Sequence, residues 1–224
     1  VSHFNTSKVT DMGGLFNNCR VLESINLGSF NTANGTTMLI MFSECKALTT
    51  LDLSSFNTSK VENMKLMFNG CNNLKTIYVG DAWSTDAVIA SENTDNGSGM
   101  FSSCSHLVGG AGTIWNSMHE YVSHAHIDEG TSNPGYLTDV NKDYPYAVLS
   151  DGNSVLTFYY NKNKKNYNWM KVGETSDLSD KDWLGDAYAT SITSVVFDDS
   201  FAGYNALSST AFWFFGLSNL SSIT

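Results

Sequence analysis

The chain has 224 residues, with 22 acidic side chains against 12 Lys and Arg and a formal charge of -10. That length supplies one or two domains with a substantial core. The acidic balance argues against nucleic acid and anionic membrane surfaces as partners, because both require a field of basic residues. Asn, Ser and Thr fill about a third of all positions, far from average globular usage. No apolar run approaches the ~20 residues that span a bilayer, so no membrane insertion is expected. Val1-Ser2-His3-Phe4 has neither the basic start nor the apolar stretch of a signal peptide.

An internal period decides the organisation. Phe4, Phe30 and Phe56, each followed by Asn-Thr, lie 26 residues apart. Met12, Met38 and Met64 keep that spacing, as do Phe16, Phe42 and Phe68, and Cys19, Cys45 and Cys71. Leu22, Leu48 and Leu74 follow, then Ile25, Leu51 and Ile77. Within a unit, Val61, Met64, Phe68 and Cys71 have the spacing of one helix face. Ser59 and Glu62 have the pattern of a capping box, and Gly70 fits a helix stop. Leu51-Asp52-Leu53 and Ile77-Tyr78-Val79 alternate as short strands do. The expected fold is an α/β solenoid, with one short parallel strand and one short helix per 26-residue coil. The repeated Asn of Phe-Asn-Thr is expected to form a ladder satisfying backbone groups at the corner. Gly35, standing where Val9 and Val61 stand in the neighbouring units, predicts a short or irregular second helix.

The fourth unit departs from the period. Trp83 takes the Phe slot one residue late, and about six residues are inserted between Ala87 and Gly99. Gly109-Gly110-Ala111-Gly112 reads as the tight turn that ends the array, and Thr113 to Thr138 as a cap. Tyr146 to Ser150 and Ser154 to Tyr160, around Asp151-Gly152-Asn153, carry a hairpin signal between two arrays. Ile192, Val195, Phe197 and Phe201 then echo Leu48, Leu51, Leu53 and Phe56, while Leu217 stands in the Cys column. The expected domains are 1–138, an array with its C-terminal cap; 139–189, hairpin and linker; and 190–224, the truncated start of a second array. Starting and stopping in mid-unit predicts a piece of a longer protein.

The strings FNTSKVTDMGGLFNNCRVLESINLGSF and LDLSSFNTSKVENMKLMFNGCNNLKTIYVGDAW resemble the BspA-like leucine-rich-repeat surface proteins. HIDEGTSNPGYLT and YAVLSDGNSVLTFYY resemble the segments that end and link arrays in that family. The resemblance implies leucine-rich-repeat arrays in a secreted or cell-surface bacterial protein that attaches to host proteins or to other cells. It implies no catalytic residues.

Candidate sites follow from the columns. Cys19, Cys45, Cys71 and Cys104 share one apolar column in which Leu217 later stands, which predicts a buried thiol ladder rather than disulfides. His119, His124 and His126 cluster, but His119 and His124 would sit about 140° apart on a helix, a poor zinc geometry. Asp139, Asn141 and Asp143 imitate a calcium loop but lack its turn glycine and final Glu. Gly109-Gly110-Ala111-Gly112 is not followed by Gly-Lys-Ser/Thr, and there is no Gly-x-Ser-x-Gly elbow. No enzyme activity, cofactor or metal is expected.

The outward strand positions form a stripe, one set per coil: Asn26, Asp52 and Tyr78, flanked by Ser24, Thr50 and Thr76, about 4.8 Å apart. Such a stripe can hydrogen-bond a partner, although any stacked array has a solvated face. Trp115, Trp169, Trp183 and Trp213 read as core or junction packing. The expected function is non-enzymatic binding or adhesion at a cell surface, through the outer strand face, to host or neighbouring-cell proteins. The alternatives are a structural spacer and a carbohydrate-binding module using Trp83 and Tyr78.

Overall fold

The computed structural model describes residues 4–90, 95–166, 169–171, 186–205, 210 and 213–224, in two units, Val1–Val140 and Asn141–Thr224. In the first unit the segment expected to be helical in each coil is a run of turns. Leu15, Asn17 and Cys19 N–H donate three residues back, to Met12, Gly14 and Phe16 O. Between them, Gly14, Phe16 and Asn18 N–H donate to Leu39, Met41 and Ser43 O of the next coil. The next coil repeats the alternation, with Ile40, Phe42 and Glu44 N–H donating to Lys65, Met67 and Asn69 O. An α-helix bonds its N–H groups four residues back within one segment, so a segment whose alternate bonds leave for a neighbour is not helical.

The backbone enforces this pattern. Gly14, Ile40, Leu66 and Gly99 form one column at φ 66, 49, 54 and 58°, and Asn18, Glu44, Gly70 and Ser103 a second at 64, 62, 72 and 62°. A left-handed residue every four positions interrupts any right-handed helix. Successive turns still return a side chain to one side every three or four residues, so Val61, Met64, Phe68 and Cys71 share a buried face. The capping box does not form. Ser59 Oγ donates to Asn57 Oδ1, and Glu62 N–H donates to Thr36 O of the previous coil. Gly35 holds the turn of its counterparts: Val9, Gly35 and Val61 N–H donate to Thr6, Thr32 and Thr58 O. The fold is therefore sheet and turn, not an α/β solenoid with a helix in every coil. Among the described residues the α-helical segments are α1, Asp86–Ala90, and α2, Asp186–Ala189.

Strands β1, Thr50–Leu53, and β2, Thr76–Val79, pair in parallel with Leu51 opposite Ile77. The third strand, β3, Leu137–Asp139, comes from the end of the cap and pairs with β2. Residues 24–27 of the first coil lie in no strand. Inside the stack Phe16, Phe42, Phe68 and Phe101 lie face to face, with centroids 5.4, 5.9 and 5.7 Å apart. Tyr136 closes the column edge-on at 5.2 Å. α1 leads into the inserted residues, and the stack resumes where Met64 and Leu66 N–H donate to Asn96 and Ser98 O. At the other end Gly109 N–H donates to Thr113 O and Val108 pairs with Ile114, closing the glycine-rich turn.

The corner ladder is made by threonine, not asparagine. Thr6, Thr32 and Thr58 Oγ1 donate to Asn31, Asn57 and Ser84 O of the next coil and accept the N–H of the same residues. All three threonines are buried. The asparagines serve their own turns, Asn5, Asn31 and Asn57 Oδ1 accepting from the N–H two residues on.

The second unit is one five-stranded sheet in the order β6-β4-β5-β7-β8. Its strands are β4, Tyr144–Ser150; β5, Val155–Asn161; β6, Trp169–Lys171; β7, Ser194–Phe197; and β8, Ser222–Ile223. The turn joining β4 and β5 has Asp151, Gly152 and Asn153 all at positive φ. β5 pairs in parallel with β7, so the hairpin and the chain beyond residue 190 share a sheet. Phe158 stacks on Trp213 at 5.1 Å and on Phe197 at 5.0 Å. Asn219 Nδ2 donates to Thr190 O as Asn73 Nδ2 does to Lys46 O, which aligns Leu217 with the Cys column. Trp183 lies outside the described residues, as does the side chain of Trp169.

Replacing Thr32 with Val removes both inter-coil bonds while keeping the side chain's shape. The expected loss is about 2 kcal/mol in urea unfolding. Asn31→Ala, which removes one exposed turn bond, is expected to cost less than about 1 kcal/mol. The reverse ranking would restore the asparagine ladder.

Candidate functional site

The stripe changes character along the stack. Ser24, Asn26 and Thr50 are exposed and Asp52 is half-buried, whereas Thr76 and Tyr78 are buried. Asn26 and Asp52 Oδ1 accept the N–H of Gly28 and Ser54, so each side chain also closes its own turn. The six positions thus divide into an accessible group on the first two coils and a buried pair on β2.

The four cysteines are free thiols. Cys45, Cys71 and Cys104 are buried, and each Sγ–H donates to the carbonyl of the preceding coil's Phe16, Phe42 or Phe68 at 3.1 Å. Trp115 ends this ladder, its indole N–H donating to Phe101 O at 2.8 Å. Burial pushes the Cys45 thiol up to about 11 and the Cys71 thiol up to about 12. Cys104, also by burial, stands well above its usual range. Cys19, in the first coil, is only half-buried.

The cap contains a residue that sequence patterns did not single out. Asp128 is fully buried, and its carboxylate accepts from Thr113 N–H and Oγ1 and from Gly130 N–H. It ties the start of the cap to its end. The signal was present in the turn spacing of Asp128-Glu129-Gly130, which suits an Asx turn.

His119 and His124 are not held apart as a helix would hold them. Their ring centroids lie 4.5 Å apart, and His124 rests on Tyr136 at 5.3 Å. Burial, then the charges of His119 and His126, hold His124 below the usual histidine range. Among the described residues no three His, Cys, Asp or Glu side chains are placed to hold a metal. Asp139, from the calcium-like run, is the last residue of β3 and pairs with Val79.

Beside the cap a cleft of about 380 Å³ opens between Trp83, Ser84, Thr85 and Asp86 on one wall and Ala125, His126, Ile127, Glu129 and Asn133 on the other. Trp83 keeps the turn of the Phe column, its N–H donating to Gly80 O as Phe56 N–H does to Leu53 O. Phe30 and Phe56 are buried, but Trp83, bulkier and displaced by one residue, is half-exposed. No helix among the described residues is long and apolar enough to cross a membrane.

Because the thiols are shielded, a thiol reagent is expected to modify Cys19 in the native protein and the other three only on unfolding. Cys45 and Cys71 release their protons near 9.0 in the unfolded chain, and near 11 and 12 in the native one. The thiol contribution to stability is therefore complete below pH 9 and lost as pH rises through 11. Thermal unfolding between pH 8 and 11 checks this against Cys71→Val, whose dependence is expected to be flatter. Equal slopes would remove the thiols from the account.

A family model described as "Mycoplasma protein of unknown function, DUF285" matches residues 1–115, the coils and the tryptophan that ends the thiol ladder. No curated protein and no solved structure matches the chain. The match spans 115 of 224 residues, just over half, and the chain belongs to this family.

Proposed function

We propose that the chain is a non-enzymatic binding module at a cell surface, contacting proteins of a host or of neighbouring cells. The observation that carries this reading is the repeated edge of the first unit. Ser24, Asn26 and Thr50 are exposed on adjacent coils, and Asp52 is partly so. The first two coils present similar groups at a fixed offset, so weak contacts to an extended partner sum. The resemblance to BspA-like surface proteins supports the same reading, with an extracellular location. Buried, protonated thiols suit that location too, since the thiolate is the form that oxidises or exchanges.

A second reading, a spacer holding another domain away from the surface, draws on a specific observation. Asn26 and Asp52 already serve the turns that shape the coil. The carbohydrate reading loses its Tyr78 platform, because that ring is 2% exposed. The stripe reading is tested by surface binding of the purified chain to a panel of matrix and plasma proteins. The double variant Ser24→Arg, Thr50→Arg places bulk on exposed positions that close no turn. Saturable binding weakened at least about tenfold by the variant is the expected result, equivalent to about 1.4 kcal/mol. Unchanged binding would move the site elsewhere, and a blank panel would favour the spacer.

A further inference from the structure

The cleft beside Trp83 exists because the repeat is broken there. Trp83 fills the slot of Phe30 and Phe56, and its indole Nε1–H donates to Ala125 O at 3.0 Å, which fixes the ring against the cap. Ser84 Oγ accepts Asp86 N–H at 3.0 Å and so sets the start of α1, leaving the Asp86 side chain exposed on the same wall. Across the cleft stands Glu129, also exposed, with Oε2 accepting from Asn133 Nδ2 at 3.0 Å. His126 joins them with Nδ1 against Ile127 O at 2.9 Å, which leaves its Nε2 edge uncommitted.

Among the described residues no Lys or Arg lines this cleft. Among the described residues the ion pairs are Lys46 with Glu44 and Lys65 with Asp95, so neither Asp86 nor Glu129 has a counter-charge. A fixed indole and two exposed acidic residues lining one open cleft are complementary to a cation with a flat or methylene-rich body. Aromatic rings attract such cations, and carboxylates pair with them. The chain's charge of -10 adds a long-range pull of the same sign. A bare metal ion is a poor match, since no three side-chain ligands converge among the described residues. A neutral sugar would leave both carboxylates without a counter-charge.

We propose that the cleft between Trp83, Asp86, His126 and Glu129 binds a basic side chain, an arginine guanidinium or a lysine ammonium, presented by a polypeptide partner. This goes beyond the reading of the coil edge, because it places a second contact in the first unit and names its ligand chemistry. A small probe tests it whether or not any panel protein binds.

The test uses the whole chain and follows the Trp83 indole N–H in a nitrogen–proton spectrum, assigned with Trp83→Phe. The probes are acetyl-Gly-Arg-Gly-amide, its neutral citrulline counterpart and a set of neutral oligosaccharides. The arginine peptide is expected to shift the Trp83 resonance saturably while the citrulline peptide does not. Its affinity is expected to fall about tenfold in Asp86→Asn, Glu129→Gln, and to fall with added salt. Both positions are exposed, and an unchanged melting temperature shows that the variant remains folded. Equal shifts with arginine and citrulline, a response to oligosaccharide alone, or no response to any probe would each overturn the proposal.

Discussion

Between Met12 and Cys19 alternate backbone N–H groups find their acceptors in the next coil, and the first unit is organised around that fact. A single coil would leave those groups to water, so the coil is not a stable structure by itself. Once neighbours supply the acceptors, the spacing between coils is set by the backbone. The side-chain columns inherit it. Phe16, Phe42, Phe68 and Phe101 stack because their backbones are already in register, and each thiol reaches the preceding Phe carbonyl for the same reason. Tyr136 and Trp115 then close the two columns with groups that need no further coil.

This arrangement accounts for the composition. The chain is rich in Asn, Ser and Thr because short polar side chains hold turns together and join one coil to the next. Asn5, Asp11, Asn26, Asn31, Asp52, Asn57 and Asn63 each accept an N–H two residues on. Much of the polarity is therefore structural. Groups available to a partner lie where this duty is lighter, at exposed Ser24 and Thr50, and where the repeat is broken, at Trp83 and the cap.

The period, its columns and the two short strands β1 and β2 could be read from residue spacing, because a 26-residue recurrence in several columns reports register directly. The helix could not be told from turns. Both return apolar residues to one face every three or four positions, and left-handed Ile40, Leu66 and Glu44 carry no sequence mark, unlike Gly14 or Gly70. Asn and Thr recur together, so spacing points to an Asn ladder as readily as to a Thr one, and only the burial of Thr32 against the exposure of Asn31 separates them. Of the stripe, the burial of Thr76 and Tyr78 is a tertiary fact that strand alternation does not contain. The turn at Asp128 carries a local mark, but its bond to Thr113, 15 residues away, and the Trp83–Ala125 bond beside the cleft, 42 residues apart, do not.

The most direct test of sideways bonding is the scalar coupling that crosses a hydrogen bond in solution. In a labelled sample the Phe42 amide nitrogen is expected to couple to the carbonyl carbon of Met67, and the Phe16 nitrogen to that of Met41. Coupling of Phe42 to Met38, four residues back, is the signature of a helix and would contradict the account.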